Sequence, residues 1–217
     1  MQRIFSLLLI LIGTRTVVAQ TIPCADSTNL RTRLNTIMEI DQNSRKEFIK
    51  QLSENNPQKS KELALQMKKT DKENQQFVSE LLDNCGWPKG LSGENNHTIF
   101  LVIDHAETDY ANKYFPYIKQ QAELGIILKS DLATLQDRIM LKKGQKQLYG
   151  TQTFKVGAVI HVWPVENIDG LSERRKAMGL PPMDEYIQIV KNRYRSEVEW
   201  NRSLTVEDAQ QLMRKKL

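Results

Sequence analysis

Apolar residues recur at helical spacing along most of this chain, while strand-like patterning is confined to one short stretch. No other feature narrows the possible folds as far. Leu30, Leu34, Ile37, Met38, Phe48 and Leu52 mark one face of a long amphipathic helix over about 27–52. Asn55-Asn56-Pro57 breaks the pattern, a shorter helix follows through Leu63 and Met67, and a third runs over 71–84 on Phe77, Val78, Leu81 and Leu82. Gly86-Trp87-Pro88 supplies a C-terminal glycine and a proline stop. The run from Thr98 to Ile103 is apolar all round and reads as a central buried helix, with a buried strand as the competing reading.

Helices are expected again over 110–123, with Pro116 inside and Gly125 beyond, and over 131–143. The segments 149–154 and 158–163 read as a β-hairpin about Gly157, ended by Pro164. A charged connector over 169–176, a helix over 184–200 and a last helix opening on a capping-box-like Thr205-Val-Glu-Asp208 complete the chain. The fold class is therefore mostly α: a single helical domain with one small β-hairpin at about residues 149–164.

Residues 1–19 have the layout of a secretory signal peptide, with Arg3, an apolar run from Ile4 to Ile12 and Val17-Val18-Ala19 as the cleavage site. The run is about half of what a membrane span needs, so stable membrane insertion is not expected. Residues 20–217 then form the domain, predicted to be exported to a periplasm or secreted. Losing Arg3 and Arg15 takes the formal charge from +5 to +3, too small and too evenly mixed to argue for nucleic acid. Cys24 and Cys85 are the only cysteines, and export into an oxidising compartment makes a disulfide between them the default.

Several polar residues fall on faces that should be buried. Asp41 and Arg45 lie in the apolar stripe of the first helix, four residues apart, either as a structural ion pair or as part of a site. Asp71 suits an N-cap, whereas Asn74 on the same stripe does not. If the helix through Ile103 continues, it places His105 and Asp109 one turn apart, the spacing of an oriented general base or of two metal ligands; a core histidine held by one hydrogen bond is the commoner outcome. Asp137 projects inward and Arg138 toward the rim. Gln147, Tyr149 and Gln152 stand at the hairpin entrance with groups suited to ligand recognition. Arg174 and Arg175 are adjacent guanidiniums able to clamp a carboxylate or phosphate, unless they are simply solvated.

Asp41-Gln42-x-x-Arg45, Asp71-x-x-Asn74, Gly86-Trp87-Pro88, His105-Ala106-x-x-Asp109, Asp137-Arg138, Gly144-x-x-Gln147-x-Tyr149-Gly150-Thr151-Gln152 and Arg174-Arg175 with Gly179-Leu180 together resemble a bacterial domain-of-unknown-function family, over roughly 30–187. The resemblance implies a shared fold and no established activity. Asp104 departs from it, since glutamine is usual in the family before the histidine.

Three separate helices carry polar groups on their core sides, and leaving each unsatisfied costs about 1–3 kcal/mol, so they are expected to converge on one polar pocket. The function predicted is a hydrolase-type enzyme acting on a small polar or anionic substrate. His105, Asp109 and Asp137 are its candidate catalytic residues; Asp41, Arg45, Asn74, Arg138, Tyr149 and Gln152 are its candidate binding residues. A non-catalytic ligand- or partner-binding module and a structural polar network are the alternatives. With His97, His105 and His161 as the only histidines, and no close pair among them, neither a bound metal nor another cofactor is expected.

Overall fold

The computed structural model describes Cys24 and residues 28–214, so the expected signal peptide at 1–19 lies outside the described residues. The first helix, α1 (Thr28–Ser53), follows the predicted stripe, burying Leu30, Leu34 and Ile37. It turns at Asn55, where φ is 54°, into α2 (Pro57–Cys85). Asn56 caps that helix by accepting from the Lys59 N–H at 3.2 Å, and Pro57 sits where its missing N–H costs nothing.

Here the structure corrects one expectation: α2 is a single helix of 29 residues, not two. No glycine or proline stands between Gln58 and Cys85 to stop it. Asp71 is accordingly a mid-helix residue and not an N-cap. Gly86 ends the helix at φ 67°, its N–H returning to the Leu82 carbonyl at 2.9 Å.

The central buried element is helical, as read: α3 (Gly93–Asp104) buries Ile99, Phe100, Val102 and Ile103 against α1 and α2. It stops at Asp104, with His105 as its C-cap, before α4 (Thr108–Glu123) begins. Tyr114 and Ile118 of α4, with Leu135 and Ile139 of α5 (Lys129–Lys142), complete the main core.

Beyond α5 the chain forms β1 (Thr153–Val156) and β2 (Val159–Val162), the expected antiparallel hairpin about Gly157. The charged connector is a short 3₁₀ turn followed by α6 (Leu171–Ala177). The helix predicted over 184–200 is shorter, α7 (Met183–Tyr194). Arg195, at φ 48°, releases the chain into β3 (Glu197–Glu199), which pairs parallel with β2 and makes the sheet three-stranded. Val198 there packs beside Val162, Val165, Leu171 and Met183, a small second core. The last helix, α8 (Val206–Arg214), has the predicted cap: Thr205 Oγ1 accepts from the Asp208 N–H at 3.1 Å, and Asp208 accepts from Thr205 in return.

The two long helices are unevenly held. Past Asp41 the only fully buried residue of α1 is Gln51, and before Asn74 the only one of α2 is Ser60. Gln51 is engaged by Glu47, Glu54 and Asn56, while Ile49, Leu52 and Leu65 are exposed nearby. At the other end a disulfide joins Cys24 to Cys85, as expected, across a sequence separation of 61.

Closing a loop of that size contributes about 4 kcal/mol in the chain-entropy model. Cys85→Ser should lower the unfolding free energy from urea titration by about that amount, and adding reductant should then change nothing further.

Candidate functional site

One polar cluster lies where α1, α2 and the α3–α4 turn meet. Arg45 donates through Nε to Asp41 Oδ1 at 2.9 Å and through Nη2 to Asp71 Oδ1 at 2.9 Å. Gln42 donates to the other Asp41 oxygen at 2.8 Å. His105 Nδ1 stands 3.3 Å from Asp41 Oδ1, donating when that nitrogen carries the proton. Burial alone would push the Asp41 carboxyl up, but the hydrogen bond and charge of His105, with the charge of Arg45, outweigh it and hold it below the ordinary value. The other ring nitrogen, Nε2, makes no hydrogen bond to any described residue. Asn74, one turn beyond Asp71, is buried with an equally unengaged amide.

The next residue pair extends the cluster onto α5. Asp104 is buried, and Arg138 Nε lies 3.1 Å from its Oδ1, close but too poorly aligned to count as a hydrogen bond. Burial pushes the Asp104 carboxyl above the ordinary range, against the opposing pull of Arg138 and His105. A depression beside Arg138, lined also by Ala106, Thr108, Ala111, Ile139 and Lys142, encloses about 10 Å³, room for one water. The enclosed polar pocket expected from the sequence is thus largely filled by mutual pairing of its own side chains.

A second cluster fastens residues 147–152, which have little regular structure. Asp137, 0% exposed, takes the backbone N–H groups of Leu148 (2.7 Å), Tyr149 (3.0 Å) and Thr151 (3.0 Å), and the Thr151 hydroxyl at 2.9 Å. Arg175, 1% exposed, donates to the carbonyls of Tyr149, Gly150 and Pro181, and Arg174 donates to that of Leu148. Gln147 holds Gln152 on both sides, accepting from its N–H at 2.8 Å and donating to its carbonyl at 3.1 Å. Gly150 sits here at φ 69°, where an added Cβ would lie 3.0 Å from Met183 Sδ. Burial pushes the Asp137 carboxyl up despite its donors, and burial together with Asp137 raises the Tyr149 hydroxyl.

The structure therefore separates the candidate residues. Asp41, Arg45 and His105 come together; Arg138 pairs with Asp104, the residue before His105, and Asn74 lies one turn beyond Asp71 without a hydrogen bond to any described residue. Asp109 does not join them: α3 ends before His105, so the two are not on one helical face, and Asp109 is exposed in the first turn of α4. Asp137, Tyr149 and Gln152 belong to the second cluster, where Arg174 and Arg175 hold backbone carbonyls, with Arg175 Nη2 buried and without a hydrogen-bond partner. Asp71 and Asp104 were missed as members of the first cluster. Asp71 was legible once no helix break could be found between Gln58 and Cys85; for Asp104 the signal was its place beside His105. Among the described residues no group of three His, Cys, Asp or Glu side chains could hold a metal ion.

A mostly helical domain with a histidine–aspartate pair at a helix junction and a carboxylate-pinned loop is the class these observations define. The chain belongs to a family of unknown function, DUF6624, whose model matches residues 28–199. No curated protein and no solved structure matches it.

Two outcomes check this division of roles. Asp137→Asn should cost about 3–5 kcal/mol, because an amide set among so many donors leaves buried N–H groups unpaired, whereas Asp109→Asn should stay within about 0.5 kcal/mol; both read by urea titration. For Asp41 the folded value is depressed, so its stabilisation is complete above the unfolded value of 3.8 and is lost as pH falls through the lower folded one. The stability difference between wild type and Asp41→Asn should hold at neutral pH and close only below about pH 4.

Proposed function

We propose that the protein is a hydrolase-type enzyme whose general base is His105, acting on a polar substrate that lies across the surface at the α3–α4 turn. The observation that carries this reading is the Asp41–His105 contact at 3.3 Å, made by a carboxylate that Arg45 and Gln42 already hold in place, with Nε2 left unengaged. An imidazole fixed through Nδ1 by a buried carboxylate presents its other nitrogen as a proton acceptor in one tautomer. In the proposed step, Nε2 takes a proton from a water as its oxygen bonds to the electrophilic carbon or phosphorus. Asp41 stabilises the imidazolium, which returns the proton to the leaving group as its bond breaks. The water-sized depression means that substrate is bound from an open face, as suits a larger or extended molecule more than an enclosed small one. Export through a signal peptide at 1–19 is part of the same proposal, supported by the Cys24–Cys85 disulfide.

One observation favours a non-catalytic reading, in which the cluster fixes helix register or binds without turnover: Asp41, Arg45, Asp71, Asp104 and Arg138 all have partners within the cluster.

The two readings differ at Nε2. Diethyl pyrocarbonate should acylate His105 in folded wild-type protein, and faster than His161, whose side chain is the more buried of the two, read by mass spectrometry after digestion. Across a panel of carboxylate esters, phosphate esters and glycosides, any hydrolysis should fall by about 10²- to 10⁴-fold in His105→Ala. The melting temperature of that variant should stay within about 4–8 °C of wild type, since Arg45 still neutralises Asp41. A protected His105, or hydrolysis indifferent to its loss, sinks the enzymatic reading.

A further inference from the structure

Arg138 is held at one nitrogen and open at the other two. Its Nε faces buried Asp104 at 3.1 Å as an ion pair, and neither Nη1 nor Nη2 makes a hydrogen bond or ion pair with any described residue, although the side chain is only 37% exposed. With Nε drawn to the buried carboxylate, the remaining N–H groups are left for another acceptor. Lys142 stands one turn further along α5, on the same side, with no ion pair of its own. The Thr108 hydroxyl, also without a partner, lines the same water-sized depression. The opposing charges nearby are Asp104, which pairs with Arg138, Asp131, two turns back along α5 and facing His97, and Glu107 and Asp109, both exposed at the start of α4. Arg45 adds a third cation, with its Nη1 unengaged, on the far side of the Asp104–His105 step.

From this arrangement we infer that the Arg138 fork, with Lys142 and Thr108, is an anion subsite that takes a carboxylate or phosphate group on the substrate. The inference rests on the proposed catalytic role of His105 only for the word substrate; the subsite itself stands on α5 and the depression. A planar fork matches the two oxygens of either anion, and the lysine adds a charge one helical turn away. His105 is the residue after Asp104, so an anion seated on Arg138 brings the rest of its molecule to the general base.

The experiment is a titration of the mature chain with inorganic phosphate and, separately, with succinate, at ionic strength matched with sodium chloride, read as a saturable shift in melting temperature. One or both should bind with a dissociation constant of about 1 mM, and the stronger of the two arms identifies which anion the subsite prefers. Arg138→Lys, which keeps the charge and loses the fork, should weaken binding at least tenfold. Lys142→Ala, which leaves the Asp104 pair intact, should weaken it about threefold. His105→Ala should leave it unchanged, so a failed general base and a failed subsite are told apart. Absence of saturable binding by either anion, or binding that survives both Arg138→Lys and Lys142→Ala, overturns the inference.

Discussion

A carboxylate with no exposure to water, Asp137, is the point on which the two parts of this fold depend. Residues 147–152 connect the helical part to the sheet without forming much regular structure, and buried backbone groups there must still find partners. Asp137 supplies acceptors for three of the N–H groups from inside α5, while Arg174, Arg175, Tyr186 and Gln147 supply donors for the carbonyls. The negative and positive side chains do not touch. They act through the peptide between them, Tyr149 giving its N–H to Asp137 and its carbonyl to Arg175. Removing either charge would leave the other without its reason to be buried.

The first cluster solves a different problem. Five charged side chains and the His105 imidazole, from four elements, are set so that carboxylates alternate with basic groups, running Asp71, Arg45, Asp41, His105 along one branch and Asp104, Arg138 along the other. For Asp41 this arrangement outweighs burial and holds the carboxyl below its ordinary value, and it fixes the imidazole at one nitrogen. The adjacent residues Asp137 and Arg138 divide α5 between the clusters: roughly 100° of helical rotation sends one toward the loop and the other toward Asp104. Each cluster thereby constrains the helix on which the other depends.

Much of the helical framework was legible because burial imposes a period that can be read directly: α1, α4 and α5 lie close to their predicted spans, while α3 begins five residues before the apolar run that marked it. The boundaries that shifted did so for local reasons. Without a breaker near Asp71 two expected helices were one, and Arg195 in a left-handed conformation ended α7 before Trp200. The third strand was not readable, since Glu197–Glu199 is too short to show alternation and pairs with residues some forty positions earlier. Among site residues, Asp41 and Arg45 were visible as charges in an apolar stripe. His105 was placed in the same pocket only by the argument that buried polar groups converge; its direct contact with Asp41 spans 64 positions, and no spacing rule reaches that far. Asp109 illustrates the converse error, in which a periodicity was carried across a helix end that only tertiary packing determined.

The hairpin of α1 and α2 is held unevenly along its length, with a covalent link and the main core near one end and, at the other, half-buried Phe48, Leu63 and Met67 with polar contacts about Gln51 and Ser60. Its tip is the part of the molecule where opening exposes little apolar surface that was not already exposed. Fewer buried groups there favour local opening that leaves the base closed. Asp41, Arg45 and Asp71 sit at the boundary between the thinly packed end of this pair of helices and the end that carries the main core.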